Sequence, residues 1–325
     1  MPLVRDKIKQ LGLSKKALNI IMKSWRIKTR RQYDTYLVKF TAFCKKRKMD
    51  PLVPNTNTAI EFLTDLFEKG CGYSALNTAR SALSTLNGIG SDPLVCRFIK
   101  GVFNLRPIRS RYNYVWDVST VLNYLRSLSP ARDLNLFMLG AKLLMLCALV
   151  TGQRCQTLHA MTMDKDNMCI SGNKAVFRIV NLLKHNSPSN PQTDVTLHSF
   201  AEDKRLCVLT YLRIYLKRTR ALRSSNKLFI STHRPHAGVT KDTLSRWIKL
   251  VLSKSGIDTT IFKAHSTRAA SSSSAAKNID VWHVLKTAEW KRESTFARFY
   301  KKPIISVSSS ESFAHSILSS KPAQL

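Results

Sequence analysis

MCISGNKAVFRIVN, residues 168–181, interrupts a chain that otherwise repeats at helical spacing. The period changes here: short runs rich in apolar residues flank Gly172-Asn173, and that pair suits a tight turn. The pattern predicts two strands joined at Gly172-Asn173. TDVTLHSF (193–200) predicts a third strand. Three short strands among many helices set the fold class. It is mainly α: an N-terminal helical bundle, then a mostly helical domain with a small antiparallel three-stranded sheet.

The helices are read outward from that sheet. Upstream, LNLFMLGAKLLMLCALV (134–150) is the most apolar run, but it is short and contains Asn135 and Lys142, so it predicts a buried helix rather than a membrane span. DVSTVLNYLRSL precedes it as another helix. Downstream, DKRLCVLTYLRIYLKRTRAL, TKDTLSRWIKLVLSKSG, the segment after His265 and DVWHVLKTAEW all read as helical. The first third predicts four or five short helices in a bundle. Ser14 caps a helix with Leu18, Ile21 and Trp25 on one face. Tyr33, Leu37, Phe40 and Cys44 form the stripe of the next. Thr58-x-x-Glu61 reads as a capping box for a helix that closes at Gly70, and Asp92-Pro93 opens another. NLRPIRSRYN (104–113) has a proline, three arginines and little periodicity, which marks a boundary. The expected layout is a first domain over 1–105, a basic linker over 106–113, a second domain over 114–305 and a tail over 306–325.

The charge bounds the function. The chain has 325 residues, with 53 Lys plus Arg against 20 Asp plus Glu, a net of +33. The excess is spread: residues 1–110 carry 21 basic and 7 acidic side chains. A fold this positive on both halves repels itself unless a polyanion neutralises it, which points to nucleic acid ahead of an anionic membrane surface. The N-terminus has no signal-peptide core. The seven cysteines show no C-x-x-C and no metal-ligand spacing, which fits reduced thiols in cytosol or nucleus. HRPH (233–236) reads as a turn rather than a zinc site.

Several segments of the second domain carry groups suited to a phosphate. TGQRCQTL places Arg154 just past the apolar helix. NLLKHNSP places Lys184 on a loop after a strand. AHSTRAASSSSAA (264–276) places His265 and Arg268 three apart, on one face of a helix. AEWKRESTFARFYKKP supplies Trp290 and Tyr300, with Pro303 just beyond. Each residue alone has an ordinary reading: Arg154 as a helix cap, Lys184 as one surface lysine among many, His265 and Tyr300 as core. Together, and in order, they make a complete set for phosphoryl transfer.

That ordered set, Arg, Lys, His-x-x-Arg, Trp and Tyr, resembles the tyrosine recombinase (phage integrase) family over nearly the whole chain. The wording of TGQRCQTL, HSTR and EWKRESTFARFY is most similar to recombinases of eukaryotic DIRS/Ngaro-type retrotransposons and Crypton elements. The resemblance implies a SAM-like core-binding domain, then a catalytic domain. Two positions depart from the pattern. Thr157 stands where many integrases have an acidic residue, and Trp290 to Tyr300 is ten positions where many have nine.

The resemblance implies roles. Tyr300 attacks a DNA phosphate, leaving a 3′-phosphotyrosyl link and a 5′-hydroxyl. Arg154 and Arg268 clamp the non-bridging oxygens, and Lys184 protonates the leaving oxygen. His265 assists proton movement, and Trp290 gives one N–H and packing. No cofactor and no metal is expected. The implied partners are double-stranded DNA and three further copies in a homotetramer, with no membrane. Phe313, Ile317 and Leu318 of the tail form a candidate subunit contact. Candidate DNA contacts are Lys45, Lys46, Arg47, Arg106, Arg109, Arg111, Lys241, Arg246 and Lys249, most of them to phosphates. A eukaryotic element implies the nucleus, and any other source the cytoplasm. The other readings are a catalytically inactive, domesticated DNA-binding protein and a type IB topoisomerase-like strand transferase.

Overall fold

A computed structural model describes residues 1–108, 112–184, 186–187, 194–290, 293–299 and 302–304. The chain divides into two compact units, Met1–Ser110 and Arg111–Leu325. The division falls inside the basic stretch 104–113.

Among the described residues the first unit holds six α-helices: α1 (Pro2–Lys9), α2 (Lys15–Lys23), α3 (Ile27–Lys46), α4 (Thr56–Glu68), α5 (Tyr73–Asn87) and α6 (Pro93–Leu105). Helix α1 was not anticipated. Its core is a single cluster in which Phe40, Phe43 and Phe62 meet edge to face or stacked. Such aromatic pairs add to the area they bury. Ser14 caps α2 as expected, accepting from the Ala17 N–H. Asp92 caps α6, accepting from Leu94 and Val95, with Pro93 in the first turn. Two local expectations are corrected. The buried face of α2 is Leu18 and Met22, whereas Ile21 is exposed. The four-residue step from Leu18 keeps Met22 on the same face more closely than the three-residue step does. Helix α4 starts before Thr58: Asn55 is its cap, and its side chain accepts from the Thr58 N–H at 2.9 Å. Asparagine is the stronger cap, so Thr58 lies inside the helix and no capping box with Glu61 forms.

The second unit holds α7 (Val118–Ser127), α8 (Leu136–Thr151), α9 (Cys155–Ala160), α10 (Val208–Thr219), α11 (Lys241–Lys254), α12 (Ser266–Ala275), α13 (Val281–Thr287) and α14 (Glu293–Phe299). Strands β1 (Met168–Ser171), β2 (Lys174–Phe177) and β3 (Val195–His198) form one antiparallel sheet in sequence order. The turn falls at Gly172-Asn173, with Gly172 at φ +51°. The fold class expected from the sequence is therefore the one observed.

Helix α8 is the axle of this unit. From Leu139 to Leu149 every side chain is buried. Helices α10, α11 and α12, together with β3, pack around it. Gly140 lets Trp247 and Tyr215 close on the helix, since a Cβ there would sit 3.2 Å from each ring. No described helix is long and apolar enough to cross a membrane. The apolar surface of α8 is consumed by its neighbours instead, which is why it carries the next segment to a fixed place. Lys142 is fully buried within it. Its ammonium donates to Leu128 O at 2.8 Å and lies 3.8 Å from the Tyr211 ring centroid.

Candidate active site

Helix α8 ends on Gly152, which adopts the left-handed conformation at φ +58°. Glycine takes this conformation without steric cost. The reversal turns the chain at once, so Arg154 starts α9 at a position fixed by the buried helix behind it. Thr151 Oγ1 donates back to Cys147 O at 2.6 Å and tightens the last turn.

Helix α12 is seated against that terminus. Ser271 Oγ donates to Leu149 O, and Ser266 Oγ accepts from Trp116 Nε1 at 3.0 Å. The serine run of the sequence is thus a set of small groups that let α12 approach α8 closely. His265 stands at the N-terminal end of α12, exposed to solvent, while Arg268 one turn later is only 2% exposed. A buried guanidinium must find acceptors. Arg268 Nη1 donates to Gly152 O and Nη2 to Ala288 O. It therefore ties the end of α8 to the end of α13.

Trp290 lies under both arginines. The Arg268 guanidinium carbon is 4.0 Å from its ring centroid and that of Arg154 is 5.6 Å away. Both are within the range of attraction between a cation and a π face. Trp290 is held by its backbone N–H, which donates to Leu285 O at 2.8 Å, and by Phe296 of α14 beside its ring. Gln153 completes the stitching, with Nε2 donating to Thr287 O at 3.3 Å.

Arg154, His265 and Arg268 line one cavity of about 270 Å³, with Gln153, Thr267 and Lys241 also on its wall. Lys184 lies close enough for its charge to act on His265. It sits on a turn pinned by buried Leu183 and by Asn186, whose Oδ1 accepts from the Leu183 N–H at 2.7 Å. Desolvation, then the positive charges of Arg154, Arg268 and Lys184, hold the His265 imidazole below the usual histidine value. An exposed residue loses little water, so the three cations are the firmer cause. They keep the ring neutral, able to accept a proton, while the cavity around it stays positive. Among the described residues no group of three or more His, Cys, Asp and Glu side chains is placed to hold a metal ion.

The structure brings Arg154, Lys184, His265, Arg268 and Trp290 together. Tyr300 lies outside the described residues. Two residues beyond it, the Lys302 N–H donates to Ser273 Oγ on α12 at 3.2 Å, and the Pro303 carbonyl accepts from Val115. Thr157 is fully buried, and its hydroxyl has no partner among the described residues. The carbonyls of Gly152 and Ala288 take the place at Arg268 that a sequence reading would give to a side chain. They were missed because backbone acceptors leave no residue-type signal.

The candidate DNA contacts divide. Lys45, Lys46 and Arg47 are exposed at the end of α3, with Arg47 stacked on Phe43 at 3.9 Å. Arg246 and Lys249 are exposed on α11, and Lys241 at its start lines the cavity. Arg106 is engaged within the first unit. It donates to Phe67 O and Cys71 O at 2.8 and 3.1 Å and stacks on the Phe67 ring at 3.7 Å. Arg109, Arg111, Phe313, Ile317 and Leu318 lie outside the described residues.

The XerH site-specific recombinase, in a post-cleavage complex with a palindromic difH substrate, is similar with a TM-score of 0.60 at 14% identity. The match covers 89% of this chain and 80% of that one. The Tn1549 transposon integrase, in complex with transposon right end DNA, is similar with a TM-score of 0.58 at 13% identity, over 98% and 99% of the two chains. The fold is that of the tyrosine recombinases. At this identity the likeness concerns the fold. No protein-family model matches the chain, and comparison with curated proteins gives no match.

Proposed function

We propose that the chain is a site-specific DNA recombinase that cuts and rejoins DNA through a 3′-phosphotyrosine on Tyr300. The observation that carries this reading is the shared cavity. Two guanidiniums rest on one indole, with an imidazole held neutral beside them. A phosphate diester is the anion that such a planar, forked donor set fits.

Tyr300 oxygen attacks phosphorus, the bond to the 5′-oxygen breaks, and the diester energy is kept in the new link. Arg154 and Arg268 stabilise the charge on the non-bridging oxygens as the transition state forms. His265, neutral and at the mouth of the cavity, takes part in moving the phenol proton. A free phenol has a pKa of about 10, and the positive charge of the cavity would favour the ionised form of a phenol that enters it. Lys184, on its pinned turn, protonates the departing 5′-oxygen. The chemistry proposed needs no metal, because the cations of the chain supply the charge. The net charge of +33 supports double-stranded DNA as the substrate. Integration of a mobile element, a homotetramer on two duplexes and a nuclear location are parts of the same proposal and rest on the sequence resemblance.

The test is covalent trapping. The full-length protein is incubated in EDTA with nicked DNA from the flanks of its own gene, then denatured in detergent, beside Tyr300→Phe. An adduct in the wild type that is lost in the variant supports the proposal. Salt-sensitive binding with no adduct on any such substrate favours the binding-only reading.

A further inference from the structure

Helix α12 is held on two faces. Arg268 and Ser271, three apart, turn one face to the end of α8. Ser266 and Ser273, seven apart, share another face, two helical turns in length. Both are buried. Ser266 Oγ accepts from Trp116 Nε1 at 3.0 Å, and Ser273 Oγ accepts from the Lys302 N–H at 3.2 Å.

The two donors belong to one small collar. The Val115 N–H donates to Pro303 O at 2.9 Å, and Val115 and Ile304 pair as a parallel bridge. The Lys302 ammonium donates to Tyr112 O and lies 4.4 Å from the Tyr112 ring centroid. The rings of Tyr112 and Tyr114 close on Phe262, with centroids 5.3 and 5.6 Å away. Residues 112–116 therefore touch the chain on both sides of His265, at Phe262 and at Ser266. Val115 and Trp116 are 0% and 3% exposed, so this strap is part of the core and not a surface loop.

Trp116 is the part of the strap that bears on the site. An indole has one donor, and this one is spent on the first residue of α12, the neighbour of His265. Packing fixes a distance, whereas a hydrogen bond also fixes a direction. The bond therefore sets how the first turn of α12 is rotated, and His265 and Arg268 reach the cavity from that turn. Arg268 has two carbonyl anchors of its own on the opposite side. Trp116 does not line the cavity, so it acts through the helix.

We propose that Trp116 is a positioning residue for His265: its indole N–H, through Ser266, holds the first turn of α12 so that the imidazole stays on the cavity wall. The work His265 does there rests on the strand-transfer reading; the positioning does not.

The first measurement is an NMR titration of the full-length protein, with the His265 signal assigned by its loss in His265→Gln. The charged groups around the ring are Arg154, Arg268 and Lys184, with Lys241 and Asp242 also on the cavity wall. The three cations hold the ring below the usual histidine value, so a first turn that swings away from them raises its midpoint. Trp116→Phe keeps an aromatic ring and removes the donor, and Ser266→Ala removes the acceptor. Each is expected to raise the midpoint by about half a pH unit. The double variant is expected to shift no further than the larger single one, because one bond joins the two residues. The second measurement is cleavage of a nicked duplex. The rate at saturating DNA is expected to fall about tenfold in each variant, the worth of one hydrogen bond, with little change in the half-saturating DNA concentration. A merely structural bond would lower the unfolding midpoint and move neither readout. If Trp116→Phe fails to fold, Ser266→Ala carries both measurements. The inference is overturned if the folded single variants titrate with the wild type, if the double variant shifts by the sum of the two, or if the variants cleave at the wild-type rate. A wild type that cleaves no DNA overturns the strand-transfer reading, and the titration then decides the positioning by itself.

Discussion

Replacing Arg268 by lysine keeps the charge and removes the fork, and the structure gives the consequence a size. The guanidinium serves two buried carbonyls, Gly152 O and Ala288 O, and lies 4.0 Å over the Trp290 ring. A lysine ammonium has donors but no planar fork, and on its shorter reach it is expected to meet only one of them. The other becomes a buried acceptor without a donor, which costs ~1–3 kcal/mol. Part of the planar stacking on Trp290 is lost as well, worth ~1 kcal/mol. Arg268→Lys is therefore expected to lower stability by about 2–3 kcal/mol. In a unit of this size that corresponds to a fall in Tm of roughly 5–10 °C. The assay is urea unfolding of the full-length protein, followed by near-ultraviolet circular dichroism, which reports the tryptophans. The denatured-state slope should be the same in both proteins, so that the shift in midpoint reads stability alone. A variant within about 0.5 kcal/mol of wild type would refute the reasoning, because the two carbonyls would then not depend on the fork. A loss of DNA strand transfer without a loss of stability would assign Arg268 to phosphate alone.

Three further outcomes follow from the same coordinates. Gly152→Ala should destabilise by about 1–2 kcal/mol, since φ is +58° and the new Cβ would lie 3.2 Å from that of Ala288; an unchanged urea midpoint would contradict this. Buried Lys142 has its pKa brought down to about 7, by desolvation and secondarily by Arg205, while Asp203 opposes the shift. The unfolded chain then binds the extra proton between that value and about 10.4, so stability rises with pH across the window by up to ~1.4 kcal/mol per unit. The contacts to Leu128 O, Ser129 Oγ and the Tyr211 ring favour the ammonium and shrink that slope. Denaturation of wild type and Lys142→Met at pH 7 and pH 9 should show the rise in the wild type beyond that in the variant, and parallel curves would contradict it. The His265 imidazole should titrate below the usual histidine value of ~6.5 in an NMR titration of the free protein. Arg154→Gln should move its midpoint upward, and a midpoint that does not move would remove Arg154 from its surroundings.

The sheet was legible because its short runs break the helical period: Gly172-Asn173 places the turn between β1 and β2, whereas β2 ends at Phe177, short of the Asn181 at which the quoted run stops. Helix ends were legible where one side chain does the capping, as at Ser14 and Asp92. They failed at Thr58, where two residues three apart both look like caps and the stronger one lies outside the quoted motif. The site was legible as an ordered set of residue types, and Arg154, Lys184, His265, Arg268 and Trp290 do gather. What held them was not legible. Arg268 is oriented by carbonyls 116 and 20 residues away in sequence. Arg106 reads as a free basic group in NLRPIRSRYN, yet it is drawn to the carbonyls of Phe67 and Cys71. A composition argument counts charges and does not see which ones the fold has already engaged.

The most direct measurement is the identity of the residue that becomes attached to DNA. Trapped adduct is digested with protease and nuclease, and the peptide carrying the nucleotide is sequenced by mass spectrometry. The strand-transfer reading predicts one modified peptide, from AEWKRESTFARFYKKP, with the nucleotide on Tyr300 through its 3′-phosphate. Attachment at any other residue, attachment through a 5′-phosphate, or no modified peptide from an adduct-forming preparation would contradict it.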